Sequence, residues 1–193
     1  MLDSALSFLK QQLNDYLKIK TGTGEDTEDP FVKFILDQNE TKIDLEKGKI
    51  TILLVNLEEE QLFRAGAASS NSIAKRTNSQ TNPDLYINLY IMFVCFFARY
   101  EDTLKYLSSI IKFFQSHRLF EGKNHPTLNP DIEKLTLELV NSPFSEQKDI
   151  WSLLGRPFIP SVIYKVRMVV FKDRDTLEVP PTITETQLIS SQL

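Results

Sequence analysis

The sequence predicts an α/β (α+β) fold: a single domain with a mixed central β-sheet flanked by helices, a long internal loop and an extended C-terminal tail. Three observations carry this. First, the 14 residues from Leu85 to Ala98 are apolar except for Asn88. They fall short of the roughly 20 needed to cross a bilayer, and their β-branched and aromatic content suits a strand buried on both faces. Second, Tyr100 to Phe114 follows at once with Leu104, Leu107, Ile110, Ile111 and Phe114 at helical spacing. Glu101 and Asp102 stand in its first turn, where the helix dipole favours carboxylates. Third, the remaining periodic segments fall in the order helix, strand, strand, helix, strand, helix, strand, which favours helices packed against a mixed sheet. At 193 residues the chain has the length of one domain and can bury a core without a disulfide or structural metal.

The first helix starts at the N-terminus. Leu2, Leu6, Leu9, Leu13, Tyr16 and Leu17 share one face, and Lys10, Gln11, Asn14 and Lys18 fall on the other. Thr21–Pro30 ends it, because glycines and a proline do not continue a helix cheaply and the acids of Glu25–Asp29 repel one another. That acidic run reads as a solvated loop, since a cation site needs more oxygen ligands in a defined turn. Phe31–Asn39 fits a short strand or a turn of helix equally well. Ile50–Leu57 is β-branched and apolar between Lys47-Gly48 and Glu58-Glu59-Glu60, and reads as a strand.

Arg64–Pro83 is a long stretch of small polar residues carrying Arg64, Lys75 and Arg76. Loops of that length in compact domains are functional or disordered. The segment His117–Pro126 holds both histidines, eight residues apart in a predicted loop and without zinc-ligand spacing. Leu135–Val140 alternates as a strand with one buried face. Ser145–Gly155 reads as a short helix capped by Ser145 and stopped by Gly155, with Ile150, Trp151 and Leu154 on the core face. On the last strand, Ser161–Phe171, Val162, Tyr164, Val166, Met168 and Val170 face one way. Ile163, Lys165, Arg167, Val169 and Phe171 face the other, a mixture that suits a surface offered to a partner. The expected domain is residues 1–172, with 173–193 as a tail or arm.

Composition narrows the function. Residues 1–97 carry 10 basic and 14 acidic side chains and residues 98–193 carry 12 of each, for a net charge of −4, so neither half has the basic surplus of a nucleic-acid binder. The N-terminus lacks the basic and apolar regions of a signal peptide, and folding in the cytoplasm is expected. Cys95 lies inside the apolar block, where a thiol is desolvated and poorly ionised. No phosphate-binding glycine loop, GxSxG or zinc spacing occurs, so neither enzymatic activity nor a cofactor is expected.

The succession Leu85-Tyr-Ile-Asn-Leu-Tyr90, Tyr100–Leu107 to Phe113-Phe-Gln115, Leu135-Thr-Leu-Glu-Leu139, Asp149-Ile-Trp-Ser-Leu-Leu-Gly155 and Pro160–Arg167 resembles a known family. It is similar to the N-terminal domain of the cap, or tail-terminator, proteins of phage-tail-like contractile injection systems of the antifeeding-prophage and virulence-cassette type. The resemblance runs from Leu2 to Phe171 and implies a structural role: a ring, a hexamer, on the baseplate-distal end of the inner tube and contractile sheath, which ends their growth and couples them. It implies assembly in the bacterial cytoplasm into a particle either released or anchored, with no nucleic-acid partner and no membrane insertion. Within that reading the candidate contact residues are Arg64, Lys75 and Arg76 in the long loop, Lys165 and Arg167 on the last strand, and the tail from Asp173. A neck or adaptor protein of the same particle is the alternative. A small-molecule-binding domain or enzyme is the alternative of another class, and it requires a pocket enclosed near Tyr86, Tyr90 or Tyr164.

Overall fold

A computed structural model describes residues 1–22, 29–35, 38–39, 42–60 and 86–169. In chain order the elements are α1 (Leu2–Thr21), β1 (Val32–Phe34), β2 (Gln38–Asn39), β3 (Lys42–Ile43), β4 (Lys49–Glu59), β5 (Tyr86–Phe96), α2 (Tyr100–Ser116), β6 (Leu119–Glu121), β7 (Lys134–Leu139), α3 (Phe144–Leu153) and β8 (Ser161–Val169). Six strands form one mixed sheet in the order β1-β4-β5-β8-β7-β6, parallel only between β1 and β4, and β2-β3 is a separate two-stranded ribbon. The fold is the predicted α+β domain. The apolar block is the inner strand β5, paired with β4 over Ile87–Phe96 and with β8 over Tyr86–Val94. The predicted long loop and tail fall outside the described residues.

Strand alternation gives the sheet two unlike faces. On the inner face Ile50, Ile52, Ile91, Phe93, Tyr164 and Val166 meet Phe8, Leu9, Leu13 and Leu17 of α1 and Ile110, Phe113 and Phe114 of α2 in one large core. The outer face carries a smaller cluster, in which Leu53, Met92, Val94 and Ile163 are covered by Trp151, Ile150 and Leu154 of α3 and by Leu45. Trp151 and Cys95 are therefore core residues, as their sequence contexts predict.

Several local expectations change. Asn14, placed by periodicity on the polar side of α1, is buried: its Nδ2 donates to the Val32 carbonyl at 3.1 Å and its Oδ1 accepts from the Val32 amide at 2.9 Å. That two-way clip satisfies the backbone of the three-residue edge strand β1, and it resolves the ambiguous Phe31–Asn39 as β1 followed by β2. On α2 the buried side runs through Thr103, Ser109, Ile110, Phe113 and Phe114, leaving Leu104 and Ile111 on an exposed shoulder. The histidine segment contains β6, whose Phe120 is buried against Phe8 at 5.3 Å between ring centroids. Helix α3 begins one residue earlier than predicted, and Pro143 rather than Ser145 is its N-cap, without a side-chain capping bond. Its stop is as expected, since Gly155 adopts φ 63°. Asp29, from the acidic run, is an ion-pair partner of Lys33 at 2.9 Å and of Lys49.

Candidate assembly surfaces

The outer face of the sheet changes character along its strands. At the covered end Leu53, Met92 and Ile163 are cross-strand neighbours beneath α3. Two residues along, past a bulge between Leu54 and Asn56, the same rows become Asn56, Tyr90, Lys165 and Glu138, then Glu58, Asn88, Arg167 and Thr136. This open end holds the two described residues that the sequence marks as partner contacts, and it gives both of them partners within the chain. The Lys165 ammonium lies 3.9 Å from Glu60 and 5.8 Å from the centroid of the Tyr90 ring. Arg167 pairs with Glu138 at 3.3 Å. Asn88 is only 3% exposed; its Nδ2 donates to Glu60 Oε2 at 2.9 Å, and its Oδ1 is a buried acceptor with no partner among the described residues. The Tyr90 hydroxyl donates to Glu58 at 2.8 Å, and that bond, with burial, raises the phenol above its ordinary range. A cleft of about 320 Å³ opens here between Glu60, Tyr86, Asn88, Glu138 and Arg167.

Two other surfaces lie outside the sequence prediction. On the solvent side of α3, Phe144 (90% exposed), Phe158 (64% exposed) and Trp151 line an open groove of about 480 Å³. Trp151 and Phe158 meet edge to face at 5.9 Å. Among the described residues, the charged side chains that line the groove are Lys148 and Arg156. Arg156 is held by the Ile43 carbonyl at 2.9 Å and by Asp44 at 3.0 Å. The signal was present in the sequence, because Phe144 and Trp151 are seven residues apart and so share a helical stripe. The sequence does not show that Phe144 is left uncovered while Trp151 is buried.

The second surface is the far half of β4. Strand β1 pairs only with Ile50–Ile52, so among the described residues β4 runs on as an edge from Leu53. Leu54 and Leu57, 43% and 44% exposed, stand there on the inner-face side with Glu59, while Glu58 projects to the outer face beside Asn88. A sheet edge with aliphatic side chains is a template for contact, and carboxylates restrict which partner can use it.

The groups that could do chemistry are dispersed or buried. Burial pushes the Cys95 thiol up to about 12. The ring of His117 stacks on Phe113 at 4.7 Å, with its Nδ1 3.1 Å from the Phe113 carbonyl oxygen, the acceptor of that contact, and His125 packs against Phe120 at 5.2 Å. Tyr164 is a core residue of the inner face whose phenol burial pushes up to about 12, whereas Tyr86 and Tyr90 lie on the outer face, so the three tyrosines do not converge on one pocket. Among the described residues no group of three His, Cys, Asp or Glu side chains is placed to hold a metal ion, and no helix is long and apolar enough to cross a membrane. Arg64, Lys75, Arg76 and Asp173 lie outside the described residues.

Comparison with known proteins gives this arrangement a family. No curated protein sequence matches the chain. Among solved structures, the chain is similar to the PVC sheath/tube terminator in the extended state of an extracellular contractile injection system, determined by cryo-electron microscopy, with a TM-score of 0.50 at 14% identity. The likeness covers 94% of this chain and 63% of that one, so the chain spans less than two thirds of its structural neighbour, and at this identity the shared property is the fold. Residues 5–185 match the family described as the Pvc16 N-terminal domain. With nearly its whole length in that match, the chain belongs to the Pvc16 N-terminal domain family.

Proposed function

We propose that the chain is a structural assembly protein that caps the baseplate-distal end of the inner tube and contractile sheath of a contractile injection system, stopping polymerisation and joining tube to sheath. The observation that carries this is the joint one of family and fold: a Pvc16 N-terminal domain match over residues 5–185, and the architecture of a sheath/tube terminator over 94% of the chain. The surfaces agree with an assembly role, since an aromatic groove and an acidic strand edge stand apart on one rigid sheet. The cap is a homo-oligomeric ring, a hexamer, built in the bacterial cytoplasm into a particle that is later released or anchored. Residues 1–172 form the terminator domain and 173–193 an arm; the family match continues thirteen residues into that arm, which supports a role for it in the assembly. Arg64, Lys75, Arg76 and Asp173 remain contact candidates, while Lys165 and Arg167 act first within their own sheet.

A non-enzymatic role is supported by the inaccessible thiol and by histidines engaged with aromatic rings. Deleting the gene and imaging particles by electron microscopy tests the proposal. Tubes and sheaths of uncontrolled length are expected; particles of normal length with closed ends would refute it. A neck or adaptor protein, the second reading, would leave length unchanged but detach the particle from its next component.

A further inference from the structure

Three aromatic rings line the groove on the solvent side of α3, those of Phe144, Trp151 and Phe158, and only Trp151 is buried. An aromatic groove of this kind suits a stiff, extended apolar segment laid across its rings. The sequence holds one such segment beyond β8, Glu178-Val179-Pro180-Pro181, the only place where two prolines are adjacent. Each proline fixes its own backbone and biases the residue before it toward extended geometry, so residues 179–181 have little conformational freedom to lose on binding. Resting on the assembly reading above, we infer that the aromatic groove of one copy receives residues 178–181 of the next.

Chain length points to a neighbouring copy as the source. Strand β8 leads away from the groove, from Ser161 opposite Val94 at the end that α3 covers to Val169 opposite Tyr86 at the far rim. From Val169 to Pro180 the chain spans at most about 38 Å. To reach its own groove it would have to reverse, retrace the roughly 26 Å of β8 and climb over a helix about 10 Å thick, which leaves it taut. A groove on the next copy needs no such detour, and an arm-into-groove contact is of the head-to-tail kind that closes a ring. The groove also holds a cation open to the segment: Arg156 is taken by Asp44, whereas the Lys148 ammonium has no ion-pair partner among the described residues, and Glu178 directly precedes the apolar trio. The family match runs through the segment, to residue 185. Phe144 and Phe158, bare on their own chain, are what this contact would cover.

The test uses the full-length protein with introduced cysteines, since Cys95 is buried and its thiol stays out of exchange. Ser152→Cys puts a thiol in the groove, and Thr182→Cys puts one directly after Pro181. An equimolar mixture of the two single variants, mildly oxidised, is expected to form the mixed disulfide dimer on the order of tenfold faster than Thr182→Cys mixed with Ile19→Cys, an exposed position on α1. Phe144→Ala with Phe158→Ala, and separately Pro180→Ser with Pro181→Ser, are each expected to weaken self-association in sedimentation by on the order of tenfold in dissociation constant, with unchanged unfolding midpoints. Combining the two pairs is expected to add little, because both remove the same contact. Trp151, the only tryptophan, is expected to shift its emission with rising concentration in the wild type and not in the proline variant.

A wild type that is monomeric throughout, a mixed disulfide no faster than the Ile19 control, or aromatic and proline losses that simply add would each overturn the inference. So would a disulfide that forms inside the doubly substituted chain and not in the mixture, since the arm would then return to its own groove. Run-on tubes in the gene deletion without the mixed disulfide would remove this contact and leave the terminator role standing. The mixed disulfide together with normal particle length in the deletion would do the opposite.

Discussion

The two ends of the outer sheet face are built on the same strands and behave as different materials. At the α3 end, Met92, Val94, Ile163 and Trp151 exclude water, and stability there comes from apolar area and close packing. At the other end, within two residues on each strand, Tyr90, Asn88, Lys165, Arg167 and Glu138 replace them, and the face is held by hydrogen bonds and partly exposed ion pairs. The difference shows that the outer face has a sealed half and a wet half, and that of the two the sealed half contributes more to folding, while the inner face is buried beneath both.

The largest expected effect is at the sealed end. Trp151→Ala should cost roughly 3–5 kcal/mol in denaturant unfolding, the range for removing a buried large side chain; a loss below about 1 kcal/mol would mean that α3 is not a structural cover. Within the wet end, Asn88→Ala should cost about 1–3 kcal/mol, because the part-buried Glu60 contact is lost although the unpartnered Oδ1 goes with it. At the wet end, Arg167→Ala should change stability by no more than about 1 kcal/mol, since its pair with Glu138 is half exposed and screened by salt.

Two chemical measurements sharpen the same contrast. Cys95 should be silent to a thiol reagent in the native state near pH 8 and react fully in denaturant. Its folded pKa is raised, so the stability tied to the neutral thiol is present below the unfolded thiol range and is lost as pH rises toward about 12. At the strand end beneath the sealed half, Lys49 and Lys33 hold the Asp29 carboxyl below its ordinary range. That pairing is present above the unfolded carboxylate range and lost as pH falls through the lowered value. Asp29→Asn should slightly flatten the acid limb of a stability–pH curve, by the smallest of these effects because the carboxylate is exposed.

Much of the fold was legible because its main elements carry long periodic signals. The block from Leu85 to Ala98 and the alternation of Val162, Tyr164, Val166 and Met168 specify strands whatever their neighbours. The short strands were not legible, since β1, β2, β3 and β6 have two or three residues each and exist through partners distant in sequence, such as Asn14 for Val32 and Leu135 for Phe120. The in-chain partners of the candidate contact residues were less legible than the fold. Lys165 and Arg167 looked available because cross-strand register, which places Glu60 and Glu138 beside them, cannot be seen in a linear pattern. Phe144 shares the helical stripe of the buried Trp151, and only the folded chain shows that it stands exposed.

The rim formed by Glu60, Tyr86 and Val169 has a consequence for how the protein can vary. The Glu60 amide donates to the Tyr86 carbonyl at 2.8 Å, and Tyr86 is level with Val169, so three chain ends of the described sheet sit on adjacent strands. Whatever joins residue 60 to residue 86 spans only the gap between paired neighbours, and the β4–β5 register is fixed independently by the ladder from Lys49–Phe96 to Glu59–Ile87. Doubling the length of such a connection costs only about 0.6 kcal/mol in closure entropy. A change of length between residues 60 and 86 therefore leaves the register of the described sheet in place.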